Sequence, residues 1–231
     1  MITQKSGKKR NTTPSVNDTD LKTLVKVNNS LGFNLYKTAR GSGTNLFFSP
    51  YSIIIGLAMA YAGARGDTEK AMAESLNLSM PQARLHPTLN YLDLHLAKRG
   101  RGSRGKGGES FALHAINAIW GQKDYKFTSQ FLDILAQNYG AGLKLLDFVN
   151  EREKSRAAIN QWISNQTEGK IKDLVPEGVI DQLTRLILTN AIYFKARWQY
   201  PFYVDSTADE IFHCSDAKSV YVDEFRLSAA Q

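Results

Sequence analysis

The sequence predicts an α+β fold from three observations. Segments with helical periodicity and segments with strand-like patterning follow one another in mixed order, without the regular alternation of a doubly wound fold. Residues 185–194 form a nearly continuous apolar run, which is typical of a central strand covered on both faces. Residues 46–64 carry no charged side chain, which indicates a helix buried on nearly every face.

Length and composition indicate a globular chain with a sizeable core. The 231 residues are 42% hydrophobic, enough for one domain or two small ones. The single cysteine, Cys214, excludes an internal disulfide. The net charge of +7 is concentrated in two segments, so it says little about the folded body. These segments are an N-terminal tail with Lys5, Lys8, Lys9 and Arg10 and a loop with Lys98, Arg99, Arg101, Arg104 and Lys106.

The first half of the chain is predicted to form a polar tail followed by four helices. Residues 1–19 are expected to be a disordered basic tail, and residues 20–231 a single domain. Apolar residues between Leu21 and Leu35 recur at three- and four-residue spacing, as on one face of a helix. The elements expected after it are a strand at 46–48, a helix starting at Ser49-Pro50, a helix capped by Asp67 or Thr68, and a helix over 86–97.

The second half of the chain is predicted to contain strands and helices in irregular order. A glycine-rich basic stretch over residues 98–108 interrupts regular structure. The helix over 151–167 should turn Ile159, Trp162 and Ile163 inward and end at a left-handed Gly169. The other expected elements are strands over 111–120, 143–149 and 185–194, a helix from Thr128, and strands from residue 202 onward.

Four segments together resemble the serpin family of protease inhibitors. The first holds Phe-Phe-Ser-Pro-x-Ser-Ile and then Gly-x-Arg-Gly-x-Thr within residues 45–70. The others, in the family's order, are residues 159–171, 188–195 and 198–202. The resemblance covers residues 21–222. It implies a serpin-like fold, with helices packed around a large central β-sheet that is incomplete at the C-terminus of this chain.

One asparagine in the predicted central strand needs hydrogen-bond partners. Burying the unpaired amide of Asn190 would cost roughly 2–7 kcal/mol, and Ser49 and Ser52 are the natural candidates to pair with it. The alternative is a satisfied core amide of structural value only. In serpins the matching residues form the shutter, a polar cluster beneath the sheet where strands part to admit an inserted segment.

Trp198 matches the tryptophan that serpins place at the top of the central sheet, in the breach where insertion begins. The alternative is ordinary aromatic packing. The family usually has glycine two residues earlier, but Ala196 occupies that position here. If the glycine adopts a positive φ, alanine would be strained there.

The basic loop allows two interpretations. Some serpins bind sulfated polysaccharides with basic residues in this region, so Lys98, Arg99, Arg101, Arg104 and Lys106 are candidate contacts for an anionic polysaccharide. The favoured alternative is a solvated linker, because glycine leaves the cations unorganised. The loop also satisfies Gly-x-Gly-x-x-Gly, but it follows a helix, so we expect no dinucleotide site.

The sequence offers little for catalysis or other ligands. It lacks Cys-x-x-Cys, His-Glu-x-x-His and Gly-x-Ser-x-Gly, so we expect no enzyme activity, metal or cofactor. No aromatic residues alternate with the cations of the basic loop, which disfavours nucleic-acid binding. We expect no membrane partner and a monomer if the chain folds. The N-terminus lacks the apolar region of a secretory signal, although the family resemblance implies an extracellular location.

The resemblance implies inhibition of serine proteases by a suicide-substrate mechanism. Serpins offer an exposed loop, form an acyl-enzyme, and insert the cleaved loop into the central sheet, which distorts the protease. That reactive-centre loop is expected beyond the end of this chain, so we expect the truncated polypeptide to be inactive. The alternatives are a non-inhibitory serpin-like binding, chaperone or storage protein, and a non-functional truncated product.

Overall fold

A computed structural model describes residues 2–4, 6–42, 45–99, 112–196, 198, 208–213 and 219–224. The chain divides into two compact units, one of residues 1–98 and 113–193 and one of residues 99–112 and 194–231. The single domain expected over residues 20–231 stays a prediction. In chain order the elements are β1 (Ile2–Gln4), α1 (Asp18–Ala39), a short 3-10 helix (Arg40–Ser42), α2 (Pro50–Tyr61), α3 (Gly66–Ser75), α4 (Gln82–Arg99), β2 (Ala112–Gln122), α5 (Ser129–Tyr139), β3 (Leu143–Leu146), α6 (Arg152–Gln166), β4 (Leu186–Lys195), β5 (Ala208–His213) and β6 (Ser219–Glu224). The mixture of helices and sheet is the predicted α+β class.

A four-stranded sheet organises the first unit, in the order β1-β3-β2-β4. β1 pairs with β3 in antiparallel orientation. β2 pairs with β3 in parallel orientation, and in this pairing Trp120 of β2 lies opposite Lys144 of β3. The strand predicted over residues 185–194 is β4. Among the described residues it stands at one end of the order, although its apolar sequence predicted a central position.

The uncharged stretch forms the core helix α2. The hydroxyl of Ser49 accepts a hydrogen bond from the backbone N–H of Ser52 at 3.3 Å, and Pro50 follows in the first turn, as the sequence predicted. Buried side chains of α2 join α1, α4 and α5 in one apolar cluster with residues of the sheet. None of the helices in the described part of the chain is long and apolar enough to span a bilayer.

Helix α6 covers the opposite face of the sheet. Its buried Ile159 and Ile163 belong to a second cluster with Ala118 and Trp120 of β2. Ile119, between those two β2 residues, belongs instead to the cluster of α2. Because successive side chains of a strand point to opposite faces, the two clusters lie on the two sides of the sheet.

The N-terminal segment contacts α4 at Arg10, while the disordered tail expected over residues 1–19 stays a prediction. Arg10 forms an ion pair with Asp93 of α4 at 2.5 Å, and its Nε donates to the Asn90 side chain at 2.9 Å. The Asn90 amide in turn donates to the backbone carbonyl of Asn11 at 2.7 Å. The planar guanidinium can bind a carboxylate and an amide together, and these contacts hold this mostly polar segment against α4.

Three local predictions also differ from the structure. Residues 46–48 form no strand with any described part of the chain, and Phe47 is fully exposed. Helix α3 begins after Arg65 rather than Asp67 or Thr68, and no side chain caps it. The helix predicted over 86–97 begins earlier, at Gln82.

The second unit contains an antiparallel hairpin of β5 and β6. Ile211 pairs with Tyr221 and Phe212 with Val220. All four side chains are more than 40% exposed, from 45% at Val220 to 75% at Tyr221. Each of these side chains therefore keeps much of its apolar surface accessible to solvent.

Candidate functional site

An asparagine pair joins β4 to its neighbour β2 on the face that α2 covers. The side-chain amide of Asn190 donates to Oδ1 of Asn117 at 2.5 Å. Gly56 of α2 lies near Asn190, because a Cβ added there would be 4.0 Å from the Cβ of Asn190. A polar contact between β4 and β2 therefore lies on the face of the sheet that α2 covers.

The two predicted serines lie at the start of the same helix. Ser49 serves as the N-cap of α2, and Ser52, in its first turn, is only 9% exposed. The sequence predicted that they would pair with Asn190, whereas the hydrogen bond described for its amide goes to Asn117. The reason is geometric: Asn117 lies on the adjacent strand, and the Ser49 hydroxyl is used by the helix cap.

Sequence reasoning missed Asn117. A signal was present, because Asn117 interrupts the otherwise apolar run Ala115-Ile116-Asn117-Ala118-Ile119. The same argument that assigned a partner to Asn190 applies to this amide. Neither asparagine identifies the other, however, because the neighbour relation of β2 and β4 is not visible in the sequence.

Thr189, the residue before Asn190, makes a second polar contact on the opposite face of β4. The hydroxyl of Thr189 accepts a hydrogen bond from the indole N–H of Trp120 at 2.9 Å. Thr189 is 4% exposed and Trp120 is fully buried. Adjacent residues of β4 thus hydrogen-bond to β2 on both faces of the sheet.

The segment after α6 is tied back to that helix by a side-chain amide. Asn160 accepts from the backbone N–H of Val175 and donates to its carbonyl, both at 2.9 Å. Thr167 at the helix end accepts from the N–H of Ile171 at 3.1 Å, and Gly169 has the expected positive φ of 75°. Helix α6 and the start of its connection to β4 are therefore held together by directional bonds.

A buried histidine lies between α4 and α5. Nδ1 of His86 is 2.6 Å from the hydroxyl of Tyr139. Burial, together with the nearby Arg65 guanidinium, lowers the pKa of His86 to about 4, and burial raises the pKa of Tyr139. His86 is therefore neutral at neutral pH, and its ring belongs to the core.

The remaining predicted site residues lie in the second unit or near the basic loop. Trp198 lies in the second unit and is 73% exposed, so its assignment to the breach stays a prediction. Lys98 is exposed near the end of α4. The side chains of the other predicted polysaccharide contacts, Arg99, Arg101, Arg104 and Lys106, lie outside the described residues. Within the described ranges, no three His, Cys, Asp or Glu side chains are grouped as a metal site requires.

Comparison with known proteins gives one consistent result. The family model described as "Serpin (serine protease inhibitor)" matches residues 26–228. An uncharacterized serpin-like protein of Thermococcus kodakarensis is 38% identical over 192 residues, which are 83% of this chain and 43% of that protein. The leukocyte elastase inhibitor of Sus scrofa is 36% identical over 201 residues, covering 85% of this chain and 51% of that protein.

A solved structure has the same architecture. The native stressed conformation of AtSerpin1 from Arabidopsis superposes with a TM-score of 0.75 at 26% identity, over 90% of this chain and 52% of that one. The chain thus spans about half the length of the curated relatives and the structure it matches.

Proposed function

The chain belongs to the serpin family, and from this premise we propose that it functions in the inhibition of serine proteases by loop insertion. The observation that carries the proposal is the Asn190–Asn117 hydrogen bond, a polar contact near Gly56 of α2. A strand that separates from its neighbours needs contacts that can break and whose polar groups can then find new hydrogen-bond partners. Hydrogen bonds between side chains meet that need better than interlocked apolar packing, which has no alternative partners.

Within this mechanism we assign roles to the candidate residues. Asn190, Ser49 and Ser52 would form the shutter, with Asn117 as a fourth member on β2. Trp198 would mark the breach. Helix α6, with its tied connection, would have to shift across the sheet when a strand enters. The partner would be a serine protease, whose acyl-enzyme is trapped before deacylation.

The reactive-centre loop belongs to the part of a serpin outside the matched residues. A fusion protein therefore tests the proposal. It joins this chain to the part of the Sus scrofa leukocyte elastase inhibitor that follows the segment similar to this chain. Incubated with leukocyte elastase, the fusion should give a covalent complex that survives a denaturing gel. The 231-residue polypeptide alone should give none.

Elastase whose catalytic serine has been chemically blocked provides the control, because the acyl bond cannot then form. A fusion that unfolds cooperatively, yet is cleaved without complex formation, would contradict the inhibitory proposal. That outcome would favour a non-inhibitory binding, chaperone or storage role. A complex formed by the unfused chain would refute the expectation that it is inactive alone.

A further inference from the structure

Three residues form a row across the sheet beneath α6. Lys144 of β3 lies opposite Trp120 of β2 in the parallel pairing. The indole N–H of Trp120 reaches Thr189 of β4 at 2.9 Å. The row therefore crosses three neighbouring strands on a single face, with a fully buried indole at its centre.

Helix α6 places its own indole over this row. The rings of Trp162 and Trp120 meet edge to face, with centroids 5.4 Å apart and planes at 82°. The ammonium of Lys144 lies 5.1 Å from the centroid of Trp162 and 5.8 Å from that of Trp120. Both distances are within the range of cation–π attraction, for which indole is the best aromatic partner.

This contact differs in kind from the aliphatic packing of α6 on the sheet. Ile159 and Ile163 are buried in the second core cluster, but aliphatic packing has little directional preference. The Lys144 ammonium attracts Trp162 only while the ring stays near the charge. Lys144 is half-buried, so water screens the attraction less than at an exposed site.

We propose that Lys144 is a positioning residue that holds α6 against the sheet through Trp162. The helix can lift only when the two indoles and the ammonium separate. The consequence for inhibition rests on the proposed function, because strand insertion is what requires α6 to move. Thr189 and Asn190 are neighbours on β4, so the contacts that restrain this strand on its two faces are one residue apart.

Amide hydrogen exchange of the 231-residue chain tests the proposal. Lys144→Met retains an unbranched side chain of similar length but removes the positive charge, whereas Lys144→Arg retains a positive charge. We expect α6 amides to exchange about 5-fold faster in Lys144→Met and within about 2-fold of wild type in Lys144→Arg. Amides of β2 and β4 should stay within about 2-fold of wild type in both variants.

Lys154→Met is the matched control, because it removes an exposed cation from α6 that pairs with Glu151 at 2.9 Å. It should leave α6 exchange within about 2-fold of wild type. Equal acceleration of α6 and the strands in Lys144→Met would reveal general destabilisation and overturn the proposal. Unchanged α6 exchange, or Lys144→Arg behaving like Lys144→Met, would overturn it as well.

Trp162→Phe provides a second test that leaves Lys144 in place, and it decides the question if Lys144→Met does not fold. Phenylalanine keeps an aromatic contact but attracts a cation less strongly, so α6 exchange should rise about 3-fold. Adding Lys144→Met to Trp162→Leu should change α6 exchange less than about 2-fold, because the charge can then no longer attract an aromatic ring on α6. An unchanged Trp162→Phe, or equal Lys144→Met effects in both backgrounds, would contradict the inference. Neither measurement uses a protease, so failure here is distinct from failure of the inhibitory proposal.

Discussion

Replacing Trp120 by alanine is expected to lower the free energy of unfolding by about 3–5 kcal/mol. Trp120 is fully buried in the cluster between the sheet and α6. Its removal would leave a cavity, deprive the buried Thr189 hydroxyl of its donor and remove the ring on which Trp162 packs. The first effect alone accounts for the expected range, because the surrounding strands collapse only partly into the space.

Urea unfolding followed by far-ultraviolet circular dichroism measures this loss. Trp198→Ala is the matched control, since the same substitution at a side chain that is 73% exposed should cost less than about 1 kcal/mol. Equal losses for the two variants, or a loss at Trp120 below about 1 kcal/mol, would show that the packing between sheet and α6 is misassigned.

Acidification is expected to destabilise the protein through His86 before its carboxylates contribute. The pKa of His86 is about 4 in the folded chain against an ordinary value of 6.5. Between these values the unfolded chain binds a proton that the folded chain does not. Stability therefore falls as the pH decreases through this window, by about 2 kcal/mol between about pH 7.5 and about pH 5.

Carboxylates dominate only at lower pH. The Arg84 guanidinium lowers the pKa of Asp20, and hydrogen bonds from Asn150 lower that of Asp147. These groups stabilise the fold above the pKa of the unfolded carboxyl, and that stabilisation is lost as the pH falls below about 4. The pH dependence of stability measured above about pH 5 therefore reports on His86 and not on these carboxylates.

Urea titrations at several pH values would measure the effect, with His86→Gln as the diagnostic variant. Glutamine can still hydrogen-bond Tyr139 but does not titrate, so the decrease should shrink to less than about 0.5 kcal/mol. His95→Gln, at an exposed position of α4, should keep the full decrease. A full decrease in His86→Gln would contradict the assignment to His86.

Elements with strong local signals were predictable from the sequence. The cap at Ser49-Pro50 and the uncharged run identify α2, and Thr128 caps α5 as expected. Inward Ile159 and Ile163 identify α6. In each case the periodicity of apolar residues or the chemistry of a helix end determines the structure within a few residues.

Contacts between distant segments were not predictable. The need of Asn190 for a partner follows from the cost of burying an amide, but Asn117 is 73 residues away in sequence. Arg10 looked like part of a solvated tail because its partner Asp93 is 83 residues away. Lys144 looked like an ordinary strand lysine, since its position beside two indoles depends on strand register and on the placement of α6.

We propose that these residues build a sheet that opens to admit a strand. Opening of the sheet is tested most directly by thermal unfolding of the elastase-inhibitor fusion, before and after its reactive loop is cut by a protease that it does not trap. Insertion of the cut loop would add a fully paired strand and raise the melting temperature by about 10 °C or more. An unchanged or lower melting temperature after cleavage would contradict the account.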